Sequence, residues 1–311
     1  MGVTHIDEAE REQAEIGHLR STWTYLGDEA GSLTVGVNRI QIADGAWATP
    51  FHEHGRDEEI FYVLAGSGVS LHGDTAAEVR AGDCILYSGG RGAHTVRGVD
   101  GLDVLAFGTR NADEAVRFPR LGLSLLGDRA VQSEPGSRHG IPIQWLRESE
   151  LGPPVLPEPA QPRPRTIVNV GDLEGEFLER ARVARTRRDL GRAIGSIKTG
   201  LKHVELAPGK ESTAMHCHSL EEEIFYVLDG EGVFVLGEDE LTARPGTVIA
   251  RPAGTGVAHV LRARGDGMTF LAYGTREPGD LCYYPRSNKI AFRGVGVMAR
   301  LERLDYWDGE D

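Results

Sequence analysis

Along this chain apolar residues recur at alternate positions in short runs, and glycine-rich turns separate one run from the next. In the first half the runs fall at 33–42, 59–64, 69–71, 84–87, 94–96 and 102–107. Alternation with a period of two puts every second side chain on one face of a strand. Many short strands at regular spacing predict an all-β sandwich or barrel. Helices are expected only at the termini, after Arg110 and between the two halves. One is predicted over 172–184, where Asp172 is a candidate N-cap and apolar residues stand three to four apart.

The pattern occurs twice. His52-Glu-His-Gly-Arg-Asp-Glu-Glu-Ile-Phe-Tyr-Val-Leu64 returns as His216-Cys-His-Ser-Leu-Glu-Glu-Glu-Ile-Phe-Tyr-Val-Leu228, an offset of 164 residues. The offset holds from Gly45/Gly209 to Gly82/Gly246, becomes 165 at His94/His259, and is 166 at Gly108/Gly274. So long a period marks a duplicated domain, not a solenoid of short repeats. Between the copies, 151–165 carries six prolines, which disfavour regular structure and suit an extended linker. The expected division is an N-terminal domain at 1–150 with its barrel core at about 33–110, a linker at 151–166, and a C-terminal domain at 167–311 with its core at about 197–276.

Composition narrows the function classes. No stretch approaches the roughly 20 apolar residues of a membrane helix, and the acidic N-terminal residues do not form a signal peptide. A formal charge of -13 argues against nucleic acid as a partner. The three cysteines Cys84, Cys217 and Cys282 are an odd number at no zinc-ribbon spacing, so no structural disulfide is expected and a cytoplasmic location is favoured.

The repeated segment carries candidate metal ligands. His52 and His54 alternate onto one strand face, as do His216 and His218. Glu59 and Glu223 follow five residues later, beyond a turn, and His94 and His259 come from another strand. Three neutral imidazoles and one carboxylate leave two positions open on an octahedral divalent ion, which suits small-molecule activation better than a closed structural site.

Both copies resemble the two motifs of the cupin superfamily: Gly, a short spacer, His-X-His, four residues, Glu, six residues, Gly; then Gly, five residues, Pro-X-Gly, and His. The second copy has Gly209, His216, His218, Glu223, Gly230, Gly246, Pro252, Gly254 and His259; the first has Gly45, His52, His54, Glu59, Gly66, Gly82, Gly90 and His94, with Ser88 in place of the proline. The tail, 284–289 and 304–309, is similar to that of bacterial bicupins to which no settled function attaches. The resemblance implies two tandem jelly-roll β-barrels, short helices at the termini and between the domains, and up to one divalent metal per barrel. Fe(II) is favoured, with Mn(II), Ni(II) or Zn(II) as alternatives. The partner implied is a small-molecule substrate, and a homodimer is plausible.

With the ligand face turned inward, Phe61 and Val63 share it with Glu59, and Phe225 and Val227 share it with Glu223, giving apolar pockets. Arg39 and His203 are candidates to hold an acidic substrate, although outward-facing side chains are the plainer reading. Tyr62, Tyr226, Arg97 and Arg262 are read as packing or solvated residues, and Cys84 and Cys217 as inert thiols. Dioxygenases, decarboxylases, isomerases and lyases all occur in the family. The oxalate decarboxylases carry an arginine three residues before the first metal histidine; here Thr49 and Thr213 stand there, which disfavours oxalate chemistry. The leading expectation is a mononuclear non-haem Fe(II) dioxygenase acting on an enol, phenol or hydroxy-acid. The alternatives are a non-oxidative isomerase, decarboxylase or lyase, and a metal-stabilised binding module without catalysis. No individual catalytic residue is identified.

Overall fold

The computed structural model describes residues 2–126, 129–130 and 142–310. Each half folds as an antiparallel jelly-roll barrel, as the alternating pattern predicts. In the N-terminal sheet the order is Ile167–Asn169, Asp83–Tyr87, Glu59–His72, His94–Thr109, Val35–Ile42, Leu19–Thr24 and Arg11–Ile16, with Thr75–Arg80 also on Glu59–His72. The C-terminal sheet repeats it as Gly2–His5, Thr247–Arg251, Glu223–Leu236, His259–Thr275, Thr199–Leu206, Ala184–Asp189 and Glu176–Glu179, with Asp239–Ala243 on Glu223–Leu236.

The runs at 59–64 and 69–71 belong to one bent strand, and those at 94–96 and 102–107 to its partner. The ladder between these strands shifts register near Gly66, and the C-terminal pair shifts at Gly230. Gly66 has φ 75° and Gly230 φ 73°. A Cβ would stand 2.3 Å from the Asp100 carbonyl oxygen at Gly66 and 2.2 Å from that of Gly267 at Gly230. Only glycine allows the bend.

Residues 172–184 do not form the predicted helix. A 3₁₀ turn spans Val170–Asp172, and Glu176–Glu179 then pairs with Ala184–Asp189 at the open edge of the sheet. Edge strands tolerate many charges, so this stretch shows little of the apolar alternation that marks a strand. After Arg110 the described chain forms strands rather than a helix: Ala115–Phe118 and Leu123–Leu126 extend a small sheet beside Glu53–His54. Leu281–Tyr284, Lys289–Phe292 and Val297–Arg300 do the same beside Cys217–His218. The described α-helices are short: Leu26–Glu29, Leu190–Ala193 and, between the barrels, Ile143–Leu151. None is long and apolar enough to cross a membrane.

The two sheets exchange their outermost strands. Gly2–His5 pairs with Thr247–Arg251 in the C-terminal sheet, and Ile167–Asn169 pairs with Asp83–Tyr87 in the N-terminal one. Each sheet therefore draws a strand from the far side of the proline-rich segment. Between the barrels lies a shared core that includes Val37, Ile60, Tyr62, Phe107, Leu201, Ile224, Tyr226 and Tyr273. Two buried carboxylates stitch it reciprocally. Glu58 accepts hydrogen bonds from the Thr199 amide at 3.1 Å and the Ser196 hydroxyl at 2.6 Å. Glu222 accepts from the Leu33 amide at 2.7 Å and the Thr34 hydroxyl at 2.6 Å.

Candidate metal centres

The barrel faces converge four ligand side chains in each half. In the N-terminal barrel the donor atoms of His52, His54, Glu59 and His94 all lie within 4.8 Å of one another. Glu59 Oε2 is 2.8 Å from His94 Nε2 and 3.4 Å from His54 Nε2. In the C-terminal barrel Glu223 Oε2 is 2.9 Å from His259 Nε2, 3.6 Å from His218 Nε2 and 3.9 Å from His216 Nε2. The ladder explains the convergence, because His52 and His216 bridge to His94 and His259 on the adjacent strand.

The donor set fits a divalent cation. The Nδ1 atoms of His52 and His216 each donate to a carbonyl two residues earlier, Pro50 and Ala214, at 2.9 Å. That fixes the tautomer and turns the Nε2 lone pair into the site. Burial, reinforced by the neighbouring histidines, pushes His52 down to about 3. Burial also pushes His216 down to about 4, despite Glu223. Burial alone would raise Glu59 and Glu223, but the surrounding histidines outweigh it and hold both carboxyls well below the usual range. For His54 the order reverses: burial would lower it, yet Glu59, Glu114 and Asp57 push it up to about 9.

Behind the second histidine of each pair stands an acid that sequence reasoning passed over. Buried Asp280 accepts from His218 Nδ1 at 2.7 Å and from the Leu220 amide at 2.9 Å. Its counterpart Glu114 lies 3.4 Å from His54 Nδ1 and accepts from the Gly55, Arg56 and Asp57 amides. The signal was present: the 166-residue offset beyond Gly108 superposes Glu114 on Asp280.

Around the ligands the two barrels diverge. Phe61 and Val63 lie in the N-terminal barrel core, where Phe61 meets Tyr87 edge to face and Tyr87 stacks on His94 with centroids 3.9 Å apart. Phe118 stands 6.1 Å from the His52 ring. In the C-terminal barrel Phe225 and Val227 are likewise core residues. Phe225 also lines a cavity of about 260 Å³ that holds the four ligands together with Arg185, Arg187, Lys202, Thr213, Cys282 and Tyr284. The donor atoms of Cys282, His216 and His218 lie within 4.8 Å of one another. Cys282 and Tyr284 share a hydrogen bond; burial pushes the Cys282 thiol up to about 12 and holds the Tyr284 hydroxyl protonated.

Arg39 and His203 are corrected: neither faces its metal ligands. Each shares the parity of residues in the core between the barrels, Val35 and Val37 in one case and Leu201 in the other. Arg39 forms a two-pronged pair with Asp103, at 2.9 Å and 2.5 Å. The inward positions are one residue earlier, Asn38 and Lys202, on the parity of Ile40 and Val204. Arg185, Arg187 and the pair Cys282 and Tyr284 were missed as well. Thr49 bonds Thr95 at 3.1 Å, whereas Thr213 borders the C-terminal cavity. Cys217 points away into a core with Met215 and Val233, and Cys84 lies between the barrels.

No curated protein matches the sequence. Among solved structures, an oxalate decarboxylase from Bacillus subtilis, determined in a study of its Mn(II) centres, is 13% identical, covers 90% of this chain and 78% of its own, and superposes with a TM-score of 0.59. The formate complex of Lactobacillus farciminis oxalate decarboxylase is 15% identical over 89% of this chain and 86% of that one, with a TM-score of 0.58. These likenesses are of fold. The family described as "Cupin domain" matches residues 38–105 and 202–272. Two matches to one family, falling on the two barrels that the 164-residue repeat marks out, make the chain a bicupin of the cupin superfamily.

Proposed function

We propose that the protein is a metal-dependent enzyme whose turnover takes place in the C-terminal barrel and is non-oxidative: decarboxylation, isomerisation or elimination on a small molecule. The N-terminal ion would then serve to hold its barrel together. The observation that carries this reading is the protic wall beside His216. Cys282 and Tyr284 occupy the positions where the N-terminal barrel has Val116 and Phe118, on strands paired in the same register.

His216, His218, Glu223 and His259 would hold the ion, which supplies Lewis acidity toward a substrate oxygen. Mn(II) suits this donor set as well as the Fe(II) expected from sequence, and the Bacillus subtilis oxalate decarboxylase has Mn(II) centres. Asp280 keeps His218 in one tautomer and orientation. Tyr284, protonated because burial and Cys282 both raise it, offers its hydroxyl as a hydrogen-bond or proton donor at the cavity wall. Phe225 and Phe270 cover the apolar side of the cavity and exclude water.

A specific observation favours a second reading. The aromatic wall of the N-terminal centre, Phe61, Tyr87 and Phe118, carries no formal charge and would give an oxygenase an apolar pocket there. The deciding experiment assays Mn(II)- and Fe(II)-reconstituted protein against small hydroxy-acids, keto-acids and phenols, with and without dioxygen. Turnover that persists anaerobically supports the proposal; product formed only with matching dioxygen uptake overturns it in favour of the oxygenase.

A further inference from the structure

The C-terminal cavity contains more positive charge than its surroundings neutralise. Lys202, on the inward parity of Thr199–Leu206, makes no hydrogen bond or ion pair with any described residue. Its electrostatic partners are Glu223, itself a metal ligand, and Asp189 at longer range. Arg185 donates to the Ser212 carbonyl and makes no direct ion pair with a described carboxylate, Glu176, the partner of Arg187, acting on it only electrostatically. Arg187 and Arg293 also line the cavity, but Glu176 and Glu221 pair with them. A divalent ion on Glu223 would add one further net positive charge. Partly buried cations without counter-ions are costly unless something else supplies the anion.

The register shows that this is a feature of one barrel and not of the fold. Arg185 and Arg187 pair with Leu206 and Val204, as Ser21 and Trp23 pair with Ile42 and Ile40. The 164-residue offset thus sets Arg185, Arg187 and Lys202 against Ser21, Trp23 and Asn38. Three cations around one centre stand where the other centre has none.

We infer that the C-terminal cavity is built for a small acid carrying a carboxylate or phosphate group, which Lys202 and Arg185 hold while a second oxygen of the same molecule faces the metal ligands. This rests on the C-terminal barrel being the site of turnover and names its substrate class. The cavity of about 260 Å³ limits the ligand to a small metabolite. Desolvation lowers the proton affinity of both Lys202 and Arg185, which agrees with a site completed by an anion.

The test is calorimetric titration of the metal-loaded full-length protein with malonate, inorganic phosphate and neutral malonamide, alongside metal analysis. Malonate or phosphate should bind and malonamide should not; which anion binds distinguishes carboxylate from phosphate recognition. Lys202→Met and Arg185→Gln should each weaken anion binding at least tenfold with metal content unchanged, and Lys202→Arg should restore most of it. Equal binding of malonate, phosphate and malonamide, no binding of either anion, or wild-type anion affinity in Lys202→Met would overturn the inference. A C-terminal site that takes up no metal, with anion binding intact, would instead count against the proposed function and leave the anion site standing.

Discussion

The N-terminal and C-terminal barrels present the same four ligands from the same strands, with the same tautomer lock behind the first histidine and an acid behind the second. Their walls share Phe61/Phe225 and Val63/Val227 but differ where charge and protic groups stand. Ser21, Trp23, Asn38, Val116 and Phe118 in one are Arg185, Arg187, Lys202, Cys282 and Tyr284 in the other. The donor types and their strand positions are what a metal requires, and duplication has kept them in both copies, with His218 set a little apart from His259 in the second. Substrate recognition and proton transfer need charged and protic groups around that geometry; the C-terminal cavity sets Arg185, Arg187, Lys202, Cys282 and Tyr284 there, whereas Tyr87 beside the N-terminal centre has its hydroxyl bonded to Ser70.

The comparison can be broken by converting one wall into the other. The triple substitution Lys202→Asn, Arg185→Ser, Arg187→Trp should lower kcat/KM by about a thousandfold, since each lost charge-assisted hydrogen bond contributes about 1.5–3 kcal/mol. Metal content should stay at the wild-type level; steady-state kinetics with elemental analysis reads both. A smaller effect tests the shared part. Asp280→Asn and Glu114→Gln should each weaken metal binding about 10- to 100-fold, confined to the barrel that carries the change. Competitive chelation on each variant measures this, and a loss at both sites would break the independence of the centres. Next come the reciprocal carboxylates between the barrels. Glu58→Gln and Glu222→Gln should destabilise by similar amounts, about 2 kcal/mol each, in denaturant unfolding; a large inequality would contradict the two-fold arrangement of the interface. The smallest change is Tyr87→Phe, which removes a 2.7 Å hydrogen bond to Ser70. It should cost about 1 kcal/mol of stability and leave turnover unaltered.

Much of this was legible in the chain. The repeat, the barrels and the convergence of the eight candidate ligands follow from an alternating pattern whose offset barely drifts, because strand ladders tolerate few insertions. Arg39 and His203 are one residue out of phase with the pockets, since both parities of Val35–Ile42 and Thr199–Leu206 carry apolar residues, one packed inside the barrel and the other between the barrels. Lys202 would have followed from aligning it with the inward run Val204 and Leu206. Arg185 and Arg187 were harder to find. Their strand, Ala184–Asp189, has almost no apolar residues, because its inward face serves the cavity instead of the core. Only carrying the repeat back to Leu19–Thr24, where Leu19 and Trp23 show the alternation, marks it as a strand. Nothing local announces the strand exchange, which depends on contacts more than 80 residues apart in one case and more than 240 in the other. Cys282 and Tyr284 approach the centre only because Leu281–Tyr284 pairs with Cys217–His218.

The most direct test of the central claim compares His52→Ala with His216→Ala, each reconstituted and analysed for metal, on whichever small acid the wild type turns over. With the N-terminal site emptied, turnover per C-terminal ion should remain within a few-fold of wild type while the melting temperature falls. With the C-terminal site emptied, turnover should vanish although one equivalent of metal is retained. Activity that survives His216→Ala and disappears with His52→Ala would place the chemistry in the N-terminal barrel and contradict the account.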